Sequence, residues 1–227
     1  MRHALITSAA LGLAAMGANA QNLLDNGSFE VPGPGFLLFQ SYQNFGNVFA
    51  DESIEVPALD GTTSAKMFGA TNGLQSDQVL LQDVSGIVAG NIYTLSGSIW
   101  NPSADEIGPE NVIIFQMNFR DAMGASIEVA QVEVDFMNEP LDTWNAQEVM
   151  AIAPVGSDSM TVALLHIQLG DDQGQPVQLG GASFWDNIML IEGEDMSCNN
   201  PADFNNDGAL NFLDISAFLN AFGEGCN

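Results

Sequence analysis

From residue 23 to about residue 192 the chain runs in short stretches of alternating apolar and polar positions, broken by Gly, Asn, Asp and Pro. A period of two is that of a strand with one face on a core. Eight segments carry it: 63–68, 78–84, 91–100, 112–120, 126–135, 144–152, 160–169 and 182–191. No helical period or internal repeat intervenes, so this region is expected to be an all-β sandwich. Asn72-Gly73 predicts a tight turn.

The phase of the alternation assigns faces. In 112–120, Phe115, Met117 and Phe119 point inward, leaving Gln116, Asn118 and Arg120 outside. In 160–169 the inward set is Ala163, Leu165 and Ile167, with His166 and Gln168 outside. In 91–100 it is Tyr93, Leu95 and Ile99, with Thr94, Ser96, Ser98 and Trp100 opposite. If these strands are neighbours, Trp100, Gln116, Asn118, Arg120, His166 and Gln168 share one concave face. A ring for stacking beside amide, guanidinium and imidazole groups suits sugar recognition. The same residues also suit a solvated outer face with Trp100 capping an edge. Trp144 and Trp185 are expected in the core.

The two ends of the chain read differently. Met1-Arg2-His3 is followed by an apolar run from Ala4 to Gly17 and by Ala18-Asn19-Ala20. That is the layout of a cleaved secretory signal peptide over residues 1–20, with the mature chain starting near Gln21. Its apolar run is too short to span a bilayer comfortably, and no later segment approaches the length of a membrane span. The sandwich is expected over 21–192 and a polar linker over 193–197. Residues 198–227 form a second unit. Phe212, Ile215, Leu219 and Phe222 fall on one face of a helix predicted over 212–222, with Leu213 and Phe218 beside it and Gly223 ending it.

Charge sharpens this picture. Lys66 and Arg120 are the only Lys or Arg after Arg2, against 29 acids and a formal net charge of −26. Such a field repels nucleic acid and anionic lipid, favours cations, and suits a salty exterior. The two cysteines, Cys198 and Cys226, are expected to pair as a disulfide in an exported chain. A closed loop of this size contributes roughly 3–4 kcal/mol.

Just before the helix, Asp203, Asn205 and Asp207 occupy positions 1, 3 and 5 of an EF-hand-type loop. Gly208 stands at the sharp turn, Ala209 offers a carbonyl at position 7, Asn211 stands at 9 and Asp214 at 12. Calcium needs six to eight oxygens around one point, and this spacing supplies them. Asp rather than Glu at position 12 resembles one dockerin repeat, a half EF-hand. A single repeat that ends Phe222-Gly223-Glu224-Gly225-Cys226 resembles the GC-type dockerin-like tails of exported planctomycete proteins. The resemblance implies a calcium-dependent anchoring or sorting module with a cohesin-like or cell-surface partner. The missing second repeat puts ordinary cohesin binding in doubt.

Asn22-Leu23-Leu24-Asp25-Asn26-Gly27-Ser28-Phe29-Glu30, Gly61-Thr62-Thr63-Ser64-Ala65-Lys66, Ala89-Gly90-Asn91-Ile92-Tyr93, Trp144 ahead of Ala153-Pro154, and Gly181-Ala182-Ser183-Phe184-Trp185-Asp186 occur in that order. Together they resemble carbohydrate-binding modules with the galactose-binding-like jelly-roll fold. The resemblance implies a structural calcium joining the first and last strands, with Glu30 and Asp186 as ligands and Asp60 or nearby carbonyls assisting.

The chain carries no G-x-S-x-G, H-E-x-x-H or cysteine nucleophile pattern. The expectation is therefore a secreted or cell-surface, non-catalytic binder of a polysaccharide or other glycan. A small secreted polysaccharide hydrolase and an adhesive exoprotein without a small ligand are the alternatives.

Overall fold

The computed structural model describes residues 21–70, 72, 74–170, 180–193 and 212–224. Residues 1–20, Gly73 of the expected turn, Asp203, Asn205, Asp207, Ala209, Asn211, Cys198 and Cys226 lie outside the described residues. Ten strands and one helix follow in chain order: β1 (Gln43–Phe45), β2 (Val48–Asp51), β3 (Ser64–Phe68), β4 (Ser76–Ser85), β5 (Ile92–Trp100), β6 (Asn111–Arg120), β7 (Ser126–Glu133), β8 (Trp144–Ile152), β9 (Ser159–Gln168), β10 (Ala182–Gly193) and α1 (Phe212–Glu224). The eight patterned segments are β3 to β10. The pattern missed β1 and β2, which are too short to repeat it.

The strands form two antiparallel five-stranded sheets, in the orders β1-β4-β9-β6-β7 and β2-β3-β10-β5-β8. They stack as a jelly-roll-like β-sandwich. Inward side chains of both sheets make one core: Leu80, Phe115, Met117 and Leu164 from the first, Leu95, Ile99 and Trp185 from the second. The chain ends are stitched together. Leu23 N–H donates to the Leu190 carbonyl at 2.8 Å, and Asn22 Oδ1 accepts from Leu190 N–H at 2.9 Å. β10 runs through Gly193, the residue at which the linker was expected to begin. The helix likewise passes Gly223 and ends at Glu224. Among the described residues no helix is long and apolar enough to cross a membrane.

The expected face of β9 is reversed. Met160, Val162 and Leu164 are fully buried, together with His166 and Gln168, while Leu165 and Ile167 are only partly buried on the outside. β9 is the middle strand of its sheet, and its apolar residues occupy both phases, so alternation alone cannot choose between them. Register decides: Leu164 lies opposite Phe115 of β6 and Leu80 of β4, both core residues.

Candidate functional site

The outer face of the first sheet carries a band of Val79, Leu81, Leu165 and Ile114, with polar residues below it. Gln116, Asn118 and Arg120 lie on this face, opposite Ala163, Thr161 and Ser159 of β9. At the polar end a depression of about 480 Å³ is lined by Gln43, Leu81, Asp83, Arg120, Gly124, Ser159 and Thr161. A chain of hydrogen bonds crosses it. Arg120 Nε donates to Thr161 Oγ1 at 2.8 Å, and the Thr161 hydroxyl donates to Asp83 Oδ1 at 2.5 Å. Arg120 Nη1 donates to the Gly124 carbonyl at 3.1 Å.

The guanidinium and the carboxylate are thereby held without being used up. Arg120 Nη2 and Asp83 Oδ2 have no hydrogen-bond partner among the described residues and remain open to a ligand as charge-assisted donor and acceptor. Gln116 Nε2 donates to Gln131 at 2.8 Å, and Asn118 accepts from the Ser126 hydroxyl at 2.6 Å. Those two are committed to neighbours on β7. Phe45, two residues along β1 from Gln43, is about half exposed on the same face and is the aromatic surface there. The alternation could not find Phe45 or Gln43, because β1 is three residues long.

Three of the expected face residues lie elsewhere. Trp100 belongs to β5 in the other sheet, where it meets Trp144 edge-on at 5.7 Å between ring centres. These two rings and Phe184 form a satellite cluster on the outer face of the second sheet, capped by Val56. So Trp144 lies outside the main core, whereas Trp185 is buried in it. The segment 52–63 covers this cluster. Trp144 Nε1 donates to the Pro57 carbonyl at 3.0 Å, and the Lys66 ammonium binds both Glu55 oxygens, at 2.5 and 2.6 Å.

His166 and Gln168 point into the sandwich. His166 Nδ1 lies 2.8 Å from Ser183 Oγ and Nε2 lies 3.0 Å from Asn111 Oδ1. Trp185 Nε1 donates to Ser183 Oγ at 2.8 Å. The Asn111 amide nitrogen donates to the carbonyls of Gly108 and Gly180, so its Oδ1 faces the imidazole as an acceptor. That fixes the tautomer: Nε2 carries the proton, and Nδ1 accepts the Ser183 hydroxyl. Burial holds the imidazole down to about 4, from an ordinary 6.5. Serine, histidine and asparagine here resemble a hydrolytic triad in spacing, yet all three are sealed from solvent. They form a polar bridge between the sheets.

Glu30, Asp60 and Asp186 gather around one loop. Glu30 Oε1 accepts N–H bonds from Thr62 and Thr63, and Oε2 accepts the Thr62 hydroxyl. Burial alone would raise the Glu30 carboxyl, but those bonds hold it below its usual value. Gly61 adopts φ +72°, and a Cβ there would lie 2.3 Å from the Glu30 carboxyl carbon. Asp186 Oδ2 accepts N–H bonds from Leu59 and Asp60, and Oδ1 accepts that of Asn187. Burial pushes Asp186 up, and the Asp60 charge adds to that against the three N–H bonds. A buried carboxylate with a second carboxylate beside it is chemistry that a hard cation relieves. Among the described residues, however, no group of three His, Cys, Asp or Glu is placed to hold a metal. The fit is therefore limited to the oxygen positions that Glu30 and Asp186 keep beyond these bonds.

No family model matches the chain, and no curated protein matches it. Solved structures share its fold. The enzymatically active domain of bacteriophage CBA120 tailspike protein 4 superposes with a TM-score of 0.53 at 14% identity, over 76% of this chain and 21% of that one. The chain thus spans about a fifth of the tailspike structure's length. A cyclase from Fischerella sp. TAU superposes at 0.50 with 12% identity, over 75% and 96% of the two chains. TmCBM61, solved with β-1,4-galactotriose, gives 0.48 at 14% identity, over 76% and 99%. At these identities the likeness is one of fold alone, and the same fold serves unrelated activities.

Proposed function

We propose that this is a secreted, non-catalytic carbohydrate-binding protein that takes its ligand on the outer face of the β1-β4-β9-β6-β7 sheet. The observation that carries this reading is the Arg120–Thr161–Asp83 chain lying in an open depression. One fixed donor and one fixed acceptor suit adjacent sugar hydroxyls, with Leu81 and the Phe45 ring supplying apolar contact. The volume is within the range of ligand sites. Among the described residues Asp83 is the one carboxylate lining the depression, whereas a glycoside hydrolase needs two flanking the scissile bond. Titration of the full chain with a panel of neutral and acidic glycans tests the reading. A binding glycan should lose at least tenfold in affinity in Arg120→Ala and in Asp83→Ala, with tryptophan fluorescence unchanged. Binding that survives both substitutions would move the site off this face, and release of reducing sugar would favour a hydrolase.

The tail is proposed to bind calcium through Asp203, Asn205, Asp207, the Ala209 carbonyl, Asn211 and Asp214, with Cys198 and Cys226 closing it. Asp214 lies in the first turn of α1 and is buried, which supports an inward-facing carboxylate there. Calorimetry on chelator-stripped protein should find one calcium more in the wild type than in Asp203→Ala; equal stoichiometry would remove this module's assignment. An anchoring role with a cohesin-like or cell-surface partner rests on the resemblance alone.

A further inference from the structure

The outer face of the second sheet has two halves. Segment 52–63 covers one half, where Asp186 holds Leu59 and Asp60. Among the described residues the other half is bare and shaped as a trough. Its floor is made of the small outward residues of β5, Thr94, Ser96 and Ser98. One wall comes from β10, where Met189 lies opposite Ser96 and Ile191 opposite Thr94. The other comes from β8, where Met150 lies opposite Thr94 and Ile152 opposite Ile92, both more than half exposed. Part of the trough is a hollow of about 200 Å³ around Ser96, Ser98, Ala146, Asn187 and Met189, with the exposed Glu148 carboxylate on the β8 wall opposite Ser96.

We propose that this trough is the seat of α1 from the same chain. The flanking strands stand two strand spacings apart, about 10 Å, which is the width of a helix with its side chains. The bare stretch from Ile92 to Ser98 runs about 20 Å, and a 13-residue helix is about 20 Å long. On α1, Phe212, Ile215 and Leu219 fall on one face, at 74%, 54% and 58% exposure. That spacing is the one by which an amphipathic helix lies in a groove.

Connectivity brings the two surfaces together. β10 ends at Gly193, which pairs with Ile92 at the open end of the trough. Residues 194–197 lead to Cys198, at most about 18 Å from Gly193, and the bridge proposed to Cys226 returns the chain beside the C-terminal end of α1. A tether of that length gives the chain's own helix a high effective concentration. A second copy, with its net charge of −26, is repelled. The proposal places the tail on the back of the sandwich, away from the sheet assigned to glycan, and does not depend on that assignment.

Radical footprinting and amide exchange on the full chain at low concentration test this. Met123 is 93% exposed on a distant turn and serves as the internal reference. In the wild type, Met150 should oxidise at least fivefold more slowly than Met123, and Ile215→Asp should bring Met150 close to the Met123 rate and speed oxidation of the half-buried Met189. Ser96→Arg fills the floor without touching the helix, and should raise amide exchange across 212–224 at least tenfold. Overturning results are oxidation of Met150 at the Met123 rate in the wild type, exchange of α1 unchanged by Ser96→Arg, or protection that rises with protein concentration, which would put a second copy in the trough.

Discussion

Lowering the pH from 7 to 4 is expected to remove about 3 kcal/mol of stability through His166 alone. The imidazole is held down to about 4 in the folded protein, against 6.5 when exposed. Between these values the unfolded chain binds a proton that the folded chain refuses. Stability is therefore complete above pH 6.5 and falls progressively as the pH drops toward 4. The refusal has a geometric cause. Nδ1 accepts from Ser183, Nε2 donates to Asn111, and a second proton on Nδ1 would force that bond to reverse, filling the second acceptor site of a hydroxyl that already accepts from Trp185 and leaving its own proton without a partner. General carboxylate protonation in so acidic a chain also changes stability near pH 4, so the comparison needs a variant at each pH. His166→Gln should be less stable than wild type at pH 7 by roughly 1–3 kcal/mol, because the bridge is imperfectly remade. Its loss on acidification should be smaller than the wild type's by about 3 kcal/mol. Urea unfolding at both pH values, followed through tryptophan fluorescence, measures this; parallel acid losses in the two proteins would assign the sensitivity elsewhere.

His166 also shows where sequence reading stops. A histidine in a strand whose odd and even positions are both apolar was placed outside, beside Gln168, as a sugar donor. The residues that hold both of them inside, Asn111, Ser183 and Gly69, lie on other strands or loops, and no local pattern announces them. Trp100 failed for a different reason. Its phase on β5 was read correctly, but β5 lies in the other sheet, and phase says nothing about which strands are neighbours. Where a strand has one polar face, as β6 does, the reading holds: Phe115, Met117 and Phe119 are buried, and Gln116, Asn118 and Arg120 are outside. Arg120 entered the site through its residue type and phase. Asp83 and Thr161, which aim it, became visible only once β4 and β9 were paired in register.

The same contrast applies to Asp186, whose substitution is expected to have the largest effect of any single change at the chain-end junction. The resemblance reads this residue as a calcium ligand. The structure gives its carboxylate three N–H donors, from Leu59, Asp60 and Asn187. Asp186→Ala leaves these part-buried donors without an acceptor, and about 1–3 kcal/mol for each fully buried orphan is the upper scale. Relaxation and water entry reduce the sum, so about 3–4 kcal/mol is expected, or roughly 6–15 °C in melting temperature for a domain of this size. Segment 52–63 should loosen with it, releasing Trp144 from the Pro57 carbonyl and shifting tryptophan emission to the red. Calcium enters through a separate comparison. If an ion shares Glu30 and Asp186, chelator should lower the melting point of the wild type and leave Asp186→Asn unmoved, with Asp203→Ala as the background that removes the calcium proposed for the tail. Equal chelator responses in the two proteins would show that N–H donors hold this junction without a metal, and that the first and last segments of the sandwich are joined by the backbone bonds of Leu23 and Leu190.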